Sequence, residues 1–171
     1  MRRADREMPK EFALEIVDKC PYAVISMIDC DTPYAVPVSI ARSGDSIYFH
    51  CAKEGRKTNV LTSYPRVSIA CVGNVTPSSD KFTTEYESAI IAGNARQVIK
   101  DEEKVKALRL ICERYTPSNM DKFDTAIEKS LSRTAVWKVD IVSISGKRKK
   151  YGSDGKEIKF PKQLLNIHAN M

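Results

Sequence analysis

The stretch YFHCAKEGRKTN, residues 48–59, sets two cations, Arg56 and Lys57, directly after Gly55 and at the start of a helical run. A helix amino terminus already carries about half a positive charge, so the pair opposes it unless an anion sits between them. Free backbone amides, a guanidinium fork, an ammonium and a glycine that allows close approach together suit a phosphate. The spacing is not that of a Walker loop, which needs G-x-x-x-x-G-K-[ST]. Taken locally, the same two cations also fit an ordinary solvated loop.

Other residues narrow the chemistry. In an extended strand His50 and Cys51 point to opposite faces, which speaks against a nucleophile–base dyad. No carboxylate pair has a spacing that suggests joint acid–base work. Pro37 lies inside YAVPVSIA, where it removes a ladder donor, so that strand is an edge or is interrupted beside a ligand. The five cysteines are scattered without a C-x-x-C pair, and the two histidines, His50 and His168, lie far apart. Reduced thiols and no metal site are expected.

The chain has 171 residues, 42% hydrophobic and 29% charged, which fits one ordinary globular domain. No apolar run reaches the roughly 20 residues of a membrane span, and MRRADREMPK holds no apolar signal core, so a cytoplasmic location is expected. The net charge of +6 favours anionic partners. Basic residues nevertheless alternate with acidic ones, the GKRKK run at 146–150 is short, and no stacking aromatics accompany it, so nucleic acid is not the expected partner.

The elements that must position these residues follow from periodicity. Residues 9–20 read as an amphipathic helix with Pro9 at its first position. YAVISMID, YAVPVSIA and SIYFHC read as three strands joined by turn chemistry, an antiparallel meander. A short helix ending before Pro65 follows, then strands RVSIACVG and EYESAIIAGNARQVI. Helices are expected over 101–115 and 119–131, the second capped by Ser118 with Asp121 three residues on. A sixth strand, TAVWKVDIVSIS, closes the domain at about residue 151, and 152–171 is a polar tail. Fold class is mainly β with α (α+β), a six-stranded antiparallel barrel-like sheet with flanking helices.

The order YAVISMID, PYAVPVSIA, IYFHCAKEGRKTNVL, PRVSIACVG, YESAIIAGNA and SRTAVWKVDIVSISGKRKK resembles the FMN-binding split-barrel superfamily. Within it the chain is most similar to the 5-nitroimidazole-resistance branch of the pyridoxamine-phosphate-oxidase-like proteins. The resemblance covers residues 5–151, with YFHCAKEGRK and EYESAIIAG its most specific parts. It implies a homodimer with two FMN molecules at the subunit interface, and composition adds no membrane or nucleic-acid partner. By position Arg56 and Lys57 match the phosphate-binding pair, and Pro37, Val38 and Ser39 match the strand against the flavin ring. His50, with Cys51 beside it, falls where the oxidases place a flavin-contacting hydroxyl residue; Ser88 falls where they carry a glutamine. Trp137 and Lys147 resemble an aromatic and a cation that the oxidases send across from the partner.

One departure matters. The oxidases end in an Arg-Leu-His-Asp-Arg-like segment that holds pyridoxal phosphate, and here the chain reads SISGKRKKYG, which argues against pyridoxamine phosphate oxidation. In the nitroimidazole branch a nearby histidine is proposed to act on substrate, which makes His50 the candidate catalytic residue. The resemblance therefore implies an FMN-dependent oxidoreductase reducing small molecules such as nitroaromatics. The alternatives are a flavin-binding or sensing protein without catalysis, and a relative that holds haem or a deazaflavin.

Overall fold

The computed structural model describes residues 2–160. Among them eight strands form one antiparallel sheet: β1 (Glu7–Met8), β2 (Ala23–Asp29), β3 (Thr32–Val38), β4 (Ala41–Ser43), β5 (Ser46–Ala52), β6 (Arg66–Pro77), β7 (Thr84–Gln97) and β8 (Thr134–Lys149). Four helices flank it: α1 (Lys10–Lys19), α2 (Arg56–Ser63), α3 (Asp101–Tyr115) and α4 (Phe123–Ser130). The sheet runs β3-β2-β6-β7-β8-β5-β4, with β1 paired to β8. It is an open, curled sheet, and the α+β split barrel expected from the sequence is present.

The meander expected from three consecutive strands is not. YAVPVSIA breaks at Ser39 and Ile40: its first half pairs with β2 and its second with β5, so β3 and β4 sit at opposite edges of the sheet. This break adds a strand, and the two-residue β1 adds another, which is why eight replace six. A buried crossover must satisfy its backbone groups elsewhere. At Ile40, which is fully buried, the N–H donates to the Tyr115 hydroxyl at 3.1 Å and the carbonyl accepts from Arg114 Nη1 at 2.9 Å. The end of α3 thus pins the point where the chain changes edges.

The barrel interior is the main core. Period-two alternation turns Ile25 and Met27 of β2, Ile47 and Phe49 of β5, Ile69 and Cys71 of β6, and Trp137 and Val139 of β8 inward. Helix α1 packs on β6, β7 and β8 and adds Ala13, Ile16 and Val17 to this core. Each such large apolar side chain contributes about 1.5–3 kcal/mol on burial. A second cluster lies outside the barrel, where Leu108 of α3 and Phe123 of α4 cover Val136 and Tyr48. Gly93 sits at a bulge in the β7–β8 ladder; a Cβ there would meet Val139 Cγ1 at 2.5 Å and the Asp140 carbonyl at 2.7 Å.

Two helix starts differ from expectation. Pro9 is the residue before α1 rather than its first. Ahead of α4 a 3-10 turn, Pro117–Lys122, absorbs Ser118, and no side chain caps either turn or helix. Proline at the first position begins that turn early, which displaces the expected capping box. Residues 151–160 return to the amino terminus: Tyr151 bridges Glu157, and Glu157 takes two hydrogen bonds from Arg6, at 2.6 and 3.1 Å. His168 and the rest of 161–171 lie outside the described residues. No helix among the described residues is long and apolar enough to cross a membrane.

Candidate functional site

Gly55 precedes α2 with φ 125° and ψ 171°, a backbone conformation that favours glycine. No side chain caps the helix and its first turn holds no acidic residue, so its leading amides point outward unclaimed by a cap. Arg56 and Lys57 stand on that turn. The strand end is tied to it through Thr58, whose hydroxyl donates to the Ala52 carbonyl at 3.2 Å and lies 3.7 Å from the Cys51 sulfur. This donor set suits a phosphate: free amides at a positive helix end, one fork and one ammonium.

Arg56 is held from two sides. Its Nε donates to Asp29 Oδ2 at 2.7 Å, and its guanidinium stacks 4.3 Å from the Tyr34 ring centroid. Lys57 is half-buried, with its ammonium 5.7 Å from the Phe49 ring. A cavity of about 390 Å³ opens beside Arg56, Asp29, Cys30, Asn59, Ser63 and Tyr64. A second, of about 310 Å³, lies beyond Tyr34 against Ser26, Ile28, Ala35 and Arg66. Asp29 and Tyr34 were not legible as site residues, because nothing in local spacing links them to a helix start 27 and 22 residues on.

The flavin-strand candidates lie close by. β3 is an edge strand, as the proline requires, with Pro37 and Ser39 exposed and Val38 buried. The β4–β5 ladder pairs Ala41 with Tyr48. Continued by two residues it would set Ser39 opposite His50, but the chain leaves for β2 there. Ser39 and His50 therefore flank the fork where the barrel splits.

On β5, Tyr48 and His50 share one face and Phe49 and Cys51 the other, as alternation demands. Helix α3 covers Tyr48, whose hydroxyl donates to Glu103 at 3.3 Å, whereas His50 is exposed beyond the helix. Partial desolvation by neighbouring protein atoms first, and the Lys57 charge second, lower the His50 pKa from its ordinary 6.5, an effect that water weakens at this exposed residue. The imidazole is accordingly neutral at neutral pH, which suits hydrogen bonding and gives no standing proton reservoir.

The remaining candidates are placed differently. Ser88 and Lys147 are direct partners across the β7–β8 ladder. Lys147 lies eleven residues along β8 from Val136, the residue paired with His50, which is up to about 36 Å of strand. His50 and the Ser88–Lys147 pair thus sit toward opposite ends of β8. Trp137 pairs with Phe49 and is 2% exposed in the protomer's own core. Inward alternation on β8 turns its side chain into that core. Its indole N–H has no hydrogen-bond partner among the described residues. Nor, among them, does any group of three His, Cys, Asp or Glu side chains gather to hold a metal ion.

A family model described as pyridoxamine 5'-phosphate oxidase matches residues 9–148. No curated relative matches the sequence. Among solved structures, a candidate 5-nitroimidazole antibiotic resistance protein from Bacteroides thetaiotaomicron is 25% identical, with a TM-score of 0.71 over 83% of this chain and 86% of that one. An FAD- and haem-binding protein from Mycobacterium smegmatis is 20% identical, TM-score 0.72, over 98% and 80%. A flavocytochrome from Azotobacter vinelandii is 21% identical, TM-score 0.71, over 91% and 72%. The last two likenesses are of fold.

Proposed function

We propose, from the premise that the chain belongs to the pyridoxamine 5'-phosphate oxidase family, that it binds FMN and is an oxidoreductase acting on small molecules such as nitroaromatics. The observation that carries this reading is the uncapped start of α2, with Arg56 and Lys57 on it, beside the fork between Ser39 and His50. A monophosphate fits that start, and an attached ring system then extends along the exposed edge at Pro37, Val38 and Ser39.

A bound flavin supplies the electron transfer. The chain's own residues hold and orient it. Arg56 and Lys57 bind the phosphate, Gly55 lets the backbone approach it, and Cys51 tethers strand to helix through Thr58. Neutral His50 hydrogen-bonds at the ring and presents a polar N–H to substrate.

The site is completed by a second copy. Ser88 and Lys147, set toward the other end of β8 from the residue paired with His50, join it from the partner. The outer sheet face supports this: the ladders align Pro37, Val24, Ala70 and Ile90 in one row across four strands, with Ile28 and Val72 also about half exposed.

The absorption spectrum of the protein as purified is the first test. A flavin spectrum supports the reading, whereas a haem spectrum overturns it. Oxidation of a reduced nicotinamide that depends on an added nitro compound then separates an enzyme from a flavin binder.

A further inference from the structure

We propose that the Asp29 carboxylate is the resident counter-ion of Arg56 and is exchanged for the cofactor phosphate on binding, so that Asp29 sets how tightly and how reversibly the flavin is held. The proposal rests on the FMN reading above. Its basis is the 2.7 Å bond from Arg56 Nε to Asp29 Oδ2, placed at the uncapped start of α2, where a phosphate fits. Asp29 is set there by rigid backbone. It is the last residue of β2, pairs with Thr32, and is followed by a two-residue turn in which Cys30 adopts φ 59°.

Charge decides the consequence. A phosphate monoester carries about two negative charges at neutral pH, which Arg56 and Lys57 balance. Asp29 adds a third negative charge beside them. Among the described residues Lys57 has no carboxylate within ion-pair distance and Arg56 has Asp29 alone. The Arg56–Asp29 pair is part-exposed, 54% and 32%, so water already screens it and a dianion can displace it. The Tyr34 stack needs no carboxylate and keeps the guanidinium in place while its partner changes. Arg56 thus stays ordered without ligand, and the cofactor must outcompete an internal anion.

The test is a fluorescence titration of FMN and of riboflavin into wild type, Asp29→Asn, Arg56→Ala and the double variant, with thermal unfolding as a check on folding. Asp29→Asn is expected to bind FMN about threefold to tenfold more tightly, the scale of a part-exposed ion pair. Riboflavin binding should not change, and the gain should vanish in the Arg56→Ala background. Equal or weaker FMN binding by Asp29→Asn overturns the proposal. So does an equal gain for riboflavin, or a gain that survives without Arg56. Should the amide disturb the turn, Asp29→Ser removes the charge with a smaller group and is read by the same criteria. Failure of wild type and Asp29→Asn alike to bind FMN overturns the FMN reading and this proposal with it. A wild type that does not bind beside an Asp29→Asn that does supports both.

Discussion

The backbone N–H of Ile40 donates to the hydroxyl of Tyr115, 75 residues away in sequence, at 3.1 Å. This bond and the Arg114 bond to the Ile40 carbonyl hold the chain at the point where it passes from one sheet edge to the other. Tyr115→Phe leaves a buried amide without its acceptor, which costs about 1–3 kcal/mol. Urea denaturation should show that loss as a lowered midpoint with an unchanged slope. An unaltered midpoint would mean that water or a small shift replaces the hydroxyl.

Arg56→Ala and Lys57→Ala should each weaken FMN binding by about 1.5–3 kcal/mol, roughly tenfold to 150-fold, since each removes a charge-assisted phosphate contact. Riboflavin, which lacks the phosphate, should bind far more weakly than FMN to wild type. Flavin titrations unchanged in both variants would remove the phosphate assignment.

His50→Ala should perturb the flavin spectrum and lower turnover by roughly 100-fold if its imidazole serves the reaction. Cys51→Ala should do much less, because the thiol points to the opposite face of β5. With its pKa held below 6.5, His50 stays neutral at neutral pH, so activity that needs the neutral imidazole should fall only on the acid side of 6.5. A rate that instead rises as pH falls through that range would assign His50 the role of an acid.

A homodimer should be the species in solution, and light scattering reads it directly. Ile90 is 47% exposed in the apolar row of the outer sheet face. Ile90→Glu places a charge there, which should yield monomers and, with them, loss of flavin. A wild-type monomer carrying bound flavin would contradict both the dimer and the contribution of Ser88 and Lys147.

The return of residues 151–160 predicts a pH dependence. Hydrogen bonding from Arg6 holds Glu157 at a pKa of about 2, below its ordinary 4.5. A lowered carboxylate pKa adds stability that is complete above about 4.5 and is lost as pH falls toward 2. Glu157→Gln should therefore lower stability by about 1–3 kcal/mol at neutral pH, and the gap to wild type should close across that window. Melting temperatures measured from pH 7 down to pH 2 test the sign. A constant gap would mean that Glu157 acts by packing rather than charge.

Periodicity in the sequence determined most elements within a residue or two: α3 over 101–115, the opposite facing of His50 and Cys51 on their strand, and the short helix that begins at Arg56. Local chemistry also marked the phosphate-like helix start, since glycine, two cations and an uncapped turn are all neighbours in the chain. What lay beyond the sequence was whatever depends on two distant segments meeting. YAVPVSIA reads as one strand because its alternation is unbroken, yet curling of the sheet divides it between β2 and β5 at Ile40. Trp137 reads as a contact residue from its place in the family pattern, but the pleat of β8 turns it into the core against Phe49. Asp29 and Tyr34 carried no local signal at all. They reach Arg56 only because the β2–β3 hairpin closes over the start of α2, and a hydrogen bond or a ring stack depends on position in space rather than on spacing in the chain.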